Sequence, residues 1–187
     1  MQHFINEAEF NALQPKLLAG TAQLSVPRVV ARDFYLRVPN ASIRATAGQS
    51  ALGAKIVIWV GTTGAILVML LCAAVIIWHF SWSATLIVPL TGIFWTLVAG
   101  LTGDQGTFMF GTLALLAAGA LASLLPTGFA EPLLLLAFSL WIHRGVYLFA
   151  QWRLIKLVSS SFAAFDMLIE HLEVTLHGAD QGDSRPS

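Results

Sequence analysis

Residues 56–103 read IVIWVGTTGAILVMLLCAAVIIWHFSWSATLIVPLTGIFWTLVAGLTG, 48 consecutive positions without Asp, Glu, Lys or Arg. A run of that length without charge belongs in a bilayer. A hydrocarbon core about 30 Å thick takes about 20 helical residues at 1.5 Å each, so the run holds two spans and a turn. The turn is read at His79, Phe80, Ser81, Trp82 and Ser83, a polar and aromatic break of interfacial character. The first span covers residues 56–78, with Trp59 and Trp78 near its ends. The second covers residues 84–101 and carries Pro89 in its first turns, where a missing backbone hydrogen bond costs least.

Two further spans follow. The third, residues 107–125, stops at the turn signal Pro126-Thr127-Gly128. The fourth, residues 132–150, opens on Glu131-Pro132, with the proline at a first helical position and the glutamate at the positive end of the helix dipole. Its Arg144 falls about 9 Å short of the far boundary, a distance that a long arginine stem bridges by snorkelling.

Composition agrees with this reading. Hydrophobic residues make up 57% of the chain and charged residues 11%, against about 25% charged in a soluble domain. The formal charge of zero is an average over unlike segments: residues 1–55 hold six basic and three acidic side chains, whereas residues 56–143 hold Asp104 and Glu131 alone. Lys and Arg flank the first span on its N-terminal side and the fourth on its C-terminal side, and the three loops between spans contain none. Translocating basic residues is disfavoured, so both flanks are expected in the cytoplasm, with His79 and Glu131 outside and Asp104 inside. The expected location is a cell inner (cytoplasmic) membrane, multi-pass, with both termini cytoplasmic. No segment is basic enough to suggest nucleic-acid binding. The first 20 residues contain no apolar run of signal-peptide length, so no cleaved leader is expected.

Lipid tails are as apolar as leucine, so helices in a bilayer associate through close approach at small residues. Gly92, Thr96 and Gly100 form one such stripe, and Ala114, Ala118 and Ala122, beside Gly111 and Gly119, form another. The two stripes either pack together or one forms a homodimer seam. Cys72, the single cysteine, reads as a small buried apolar side chain.

The C-terminal segment, residues 152–177, changes to an amphipathic pattern. Ile155, Val158, Phe162, Phe165, Ile169, Leu172 and Leu176 follow alternating spacings of three and four, the a/d seam of a coiled coil. Run straight on from the fourth span, this predicts one helix over 132–177, stopped at Gly178 and followed by a disordered tail, residues 178–187. The apolar stripe has three possible destinations: the membrane surface, residues 1–50, or a partner or oligomer seam. Its acidic polar face argues against the first, and the seam is the favoured reading.

In the N-terminal flank, residues 1–54, Asn6-Glu7-Ala8-Glu9 resembles a capping box ahead of Phe10, Leu13, Leu17 and Leu18, with Pro15 expected to break or kink the helix. Pro27 opens a second helix to Arg37 that sets Arg28 and Arg32 one turn apart, as a topology signal or as contacts to anionic lipid head groups. Residues 40–54, rich in Ala, Ser and Gly, read as a linker.

Chemistry is sparse. No Walker loop, dinucleotide fingerprint, HExxH or CxxC occurs, and His3, His79, His143, His171 and His177 have no ligand spacing within one span, so neither a metal nor a cofactor is expected. Gly100, Gly103 and Gly106 lack an adjacent lysine or arginine and read as a hairpin turn rather than a phosphate loop. His143, Tyr147 and Gln151 recur every four residues on one helix face beside Arg144, either as a polar path or as interfacial anchors. The expected protein is an all-α polytopic membrane protein: a four-transmembrane-helix bundle over residues 55–151 with a long amphipathic C-terminal cytoplasmic helix. Its expected role is that of a non-enzymatic subunit that assembles or anchors a larger complex through that helix. The expected partners are membrane lipids and other membrane or cytoplasmic subunits or copies of itself. The alternative is a small homo-oligomeric channel or transporter whose fourth span lines the path.

Overall fold

The structure is a computed structural model that describes residues 7–19, 22–104, 108–168 and 173–176. It is predominantly helical: α1 (Glu7–Leu18), β1 (Ala22–Ser25), α2 (Arg28–Arg37), α3 (Asn40–Ala47), α4 (Leu52–Phe80), a 3-10 turn (Ser81–Ser83), α5 (Ala84–Asp104), α6 (Phe108–Ala122), α7 (Thr127–Ser160), α8 (Phe162–Leu168) and β2 (Glu173–Leu176). The chain divides into two compact units. A terminal unit draws on Met1–Leu52 and Gln151–Ser187, and an apolar unit is formed by Gly53–Ala150.

Two segments, falling mostly in the apolar unit, are long and apolar enough to cross a membrane by length and composition, Leu52–Gly100 and Thr127–Ser160. The first is not one straight rod. Ser81 takes a left-handed backbone, φ 44°, which is uncommon for an L residue and interrupts the helix, and the 3-10 turn at Ser81–Ser83 separates α4 from α5. The break lies where the sequence places it. The expected third span is shorter than predicted. Helix α6 has 15 residues, about 22 Å, because Leu124 and Leu125 bond back to Leu121 and Ala122, three residues away, and tighten the chain out of the α-helix. Helix α7 starts earlier than expected. The Pro126 carbonyl accepts from the backbone N–H groups of Phe129 and Ala130, so the helix opens at Thr127 and Pro132 lies inside it, not at its first position.

The terminal unit contains the larger departures. Antiparallel β1 and β2 pair Ala22 with Leu176 and Ser25 with Glu173, so the single helix predicted over 132–177 is not formed. Helix α7 ends at Ser160, Ser161 intervenes, α8 ends at Leu168, and residues 173–176 are extended. The supposed linker over 40–54 contains α3. Pro39 precedes its first turn, and Gly48 closes it with φ 67°, donating its N–H to the Arg44 carbonyl. That left-handed cap is a conformation glycine adopts without Cβ strain. Helix α2 starts directly after Pro27, and α1 runs through Pro15 without interruption. Ile169, Leu172, the tail over 178–187, Asn6 of the capping box and Gly106 lie outside the described residues.

Candidate functional site

Helix α7 carries Ser139 and Arg144, two polar residues buried in the apolar unit. Ser139 is fully buried; its hydroxyl donates to the Ala65 carbonyl at 2.7 Å and accepts the Trp95 indole N–H at 2.9 Å. The hydroxyl thereby joins α4, α5 and α7, supplying the directional contact that apolar packing lacks between helices in lipid. One turn further along, the Trp95 ring meets His143 edge-on, with centroids 5.3 Å apart, and His143 lies against Tyr147 at 4.8 Å. Gly61 of α4 sits where Val146 crosses, and an added Cβ would collide with that side chain.

Arg144 is one residue past His143 and about 100° further round the helix. It is 6% exposed and lines a cavity of about 130 Å³ whose other walls are Val98 of α5, Gly111, Ala114 and Leu115 of α6, and Ala137, Leu140 and Trp141 of α7. At Gly111, a Cβ would come within 3.0 Å of the Arg144 Cδ, so the arginine stem passes close to α6 and a side chain there would press it aside. Trp141 donates its indole N–H to the Thr112 hydroxyl at 3.2 Å and stacks on Phe138. The site therefore has one cationic end and an apolar body.

The opposite ends of the same helices are joined by a second polar contact. His79 and Glu131 lie 3.0 Å apart, His79 packs over Gly128, and Phe80 meets Phe129 at 4.9 Å. A second cavity, about 140 Å³ and lined by groups such as Ile87, Leu133 and Leu136, is apolar apart from Thr91. Cys72 is buried, and its Sγ lies 3.3 Å from the Pro132 carbonyl. Among the described residues, no group of three or more His, Cys, Asp and Glu is placed to hold a metal ion.

Of the predicted polar path, the structure brings His143 and Tyr147 together and sets Arg144 in the cavity instead. Gln151 belongs to the terminal unit, where its amide donates to the Val26 carbonyl at 2.7 Å and accepts from Arg28 Nε at 3.1 Å. Of the predicted seam, Val158 and Phe165 are fully buried and Ile155 and Phe162 half-buried. Phe10 of α1 packs on Phe162 and Phe165, with centroids 5.6 and 5.0 Å away, and Leu176 is in β2 opposite Ala22. Hydrogen bonds from Gln14 to the Ser159 carbonyl and from Ser161 to the Thr46 carbonyl tie the same region to α1 and α3. The described part of the stripe, around Phe162 and Phe165, thus packs against residues 1–50, the second of its three possible destinations. Tyr35 is part of this core, and burial pushes its phenol up to about 12, only partly offset by the nearby Arg153 guanidinium.

Sequence reasoning missed Ser139 and Trp95, and named Gly111 only as a small residue beside the Ala114, Ala118 and Ala122 stripe. Ser139 was the available signal, a lone hydroxyl between leucines and phenylalanines where no turn is called for. Compared with protein-family models, curated proteins and solved structures, the chain matches none.

Proposed function

We propose that the chain is a non-enzymatic integral membrane subunit that joins a larger membrane assembly. In this reading α4, α5, α6 and α7 cross a cell inner membrane, with both termini cytoplasmic. The β1–β2 pairing supports an even number of crossings, because residues 22–25 and 173–176 are hydrogen-bonded and so lie on one side of any bilayer. The Lys and Arg residues gathered on the two flanks support the cytoplasm as that side. Helix α6 is short for a 30 Å core, and local thinning of the bilayer accommodates such a helix at modest cost.

The observation that carries the assembly reading is the small-residue face of α5. Gly61, Gly111 and Gly128 each face a side chain of this chain, but a Cβ at Gly92 or Gly100 would meet nothing within 4 Å. With exposed Thr96 between them, these glycines offer a backbone surface that another transmembrane helix can approach closely. The C-terminal stripe first suggested as the seam is a weaker choice, because its central phenylalanine is already covered. The channel alternative is weaker as well, since His143 and Arg144 face different surroundings and Gln151 is engaged in the terminal unit.

The polar groups inside the apolar unit join helices, which fits a structural role. Thiol cross-linking in native membranes tests the reading, using Thr96→Cys in a Cys72→Ala background. A stoichiometric cross-linked species that Gly92→Leu abolishes is expected. A chain that remains monomeric in native membranes and in mild detergent overturns it.

A further inference from the structure

We propose that the cavity at Arg144 binds one anionic phospholipid, with its phosphate on the guanidinium and the first methylenes of an acyl chain in the apolar body of the cavity. The site has the two halves such a molecule needs. Among the described lining residues Arg144 is the only charged side chain, and Val98, Leu115, Leu140 and Trp141 are apolar. A volume of about 130 Å³ is close to the roughly 150 Å³ that accepts a benzene-sized guest, so it takes a short stretch of chain and not a whole lipid. Ala114 on the rim is exposed, and neighbouring Leu113 and Leu116 of α6 are exposed too, leaving an apolar surface along which the remaining chain runs.

Charge complementarity selects the head group. Gly111 lies in the first turn of α6, where the helix dipole is positive, and the arginine stem passes close to that turn. Guanidinium and helix end both favour an anion at the same place, and phosphate accepts paired hydrogen bonds from the guanidinium fork. In a bilayer the abundant phosphates are lipid head groups, and basic pockets between helices are where they bind. This inference rests on the proposed membrane placement, but it uses a different surface from Gly92 and Gly100 and does not depend on assembly with other subunits.

The test is lipid retention by the full chain, reconstituted in an equimolar mixture of phosphatidylglycerol and phosphatidylcholine, extracted in mild detergent and weighed by native mass spectrometry. One phosphatidylglycerol per chain is expected, kept in preference to phosphatidylcholine. Arg144→Gln should weaken that preference about tenfold, as the loss of a charge-assisted contact does. Ala114→Phe, which fills the cavity and keeps the charge, should reduce retention even if Arg144→Gln fails to fold. Equal retention of the two lipids by the unaltered chain, or undiminished phosphatidylglycerol retention in Ala114→Phe, overturns the proposal. So does displacement by millimolar inorganic phosphate, which marks a small-anion site. A preference that emerges only in Asp104→Asn also overturns it, because the arginine's anion is then the chain's own acid.

Discussion

The two units obey one rule with opposite signs. The terminal unit buries Phe10, Tyr35 and Phe165 and leaves Arg37 in the open, ion-paired with half-buried Asp33. The apolar unit buries Ser139 and Arg144 and leaves Leu70 60% and Trp82 90% exposed. In water the second surface would be an aggregation liability, since contiguous apolar area of that extent is not left bare on a soluble monomer. In lipid it is the expected outside, and the hydroxyl and guanidinium are what require shelter. The contrast teaches that burial identifies a core only once the solvent of each unit is known.

The sharpest way to break the comparison is to place the same charge in both units. Phe165→Asp puts a carboxylate among Phe10 and its neighbours with no partner and should cost the terminal unit about 3–5 kcal/mol, the range for an uncompensated buried charge. Limited proteolysis should then cut the terminal unit while the apolar unit stays protected. Leu70→Asp alters a residue that is already exposed, which in water changes stability little. Near the middle of α4 in lipid it should instead cost about 3–4 kcal/mol of insertion free energy. A neutral Leu70→Asp would remove the membrane from the account of the apolar unit.

Titration offers a second, smaller contrast confined to the terminal unit. The Tyr35 phenol is pushed up to about 12 from an ordinary 10.0, chiefly by burial. The neutral form is favoured in the folded state, so its contribution is whole below pH 10 and is lost as pH rises through about 12, once the unfolded chain ionises more readily. Stability of the terminal unit should fall by about 2–3 kcal/mol across that window. Tyr35→Phe should flatten the pH dependence of its unfolding. An equally steep fall in Tyr35→Phe would assign the loss to other groups.

What the sequence made legible follows from how far apart the responsible residues are. The uncharged run over 56–103 and its break at Ser81 are properties of neighbouring residues, and both were readable. The a/d spacing from Ile155 to Phe165 marked an apolar stripe and favoured a partner seam, but spacing carries no information about what covers the stripe. Phe10, about 150 positions earlier, supplies it. The same distance hid the β1–β2 ribbon, whose four-residue strands carry too little pattern to announce themselves. Helix α3 was hidden differently. Its Ala and Ser content looked like a linker, while the punctuation that defines it, Pro39 before and Gly48 after, was present. In the site, the arginine stood out as a charge in an apolar stretch, but the glycine it packs against could not be distinguished from the other glycines of the apolar helices.

The smallest predicted effect is the one that best sharpens the inversion. Ser139→Ala leaves the Ala65 carbonyl and the Trp95 indole without the hydroxyl that joins them, while changing the packed volume by a single oxygen. Interhelical hydrogen bonds in membrane proteins average about 0.6 kcal/mol and reach about 1.7, because the unfolded chain in lipid also finds partners for its polar groups. With two bonds meeting at one buried oxygen, the loss should lie toward the upper end, near 1–2 kcal/mol, read as a lowered midpoint for unfolding of the apolar unit in mixed micelles. Trp95→Phe removes the outer bond alone and should cost less than Ser139→Ala. If Trp95→Phe costs as much, the indole ring against His143 holds these helices together and the hydroxyl is incidental.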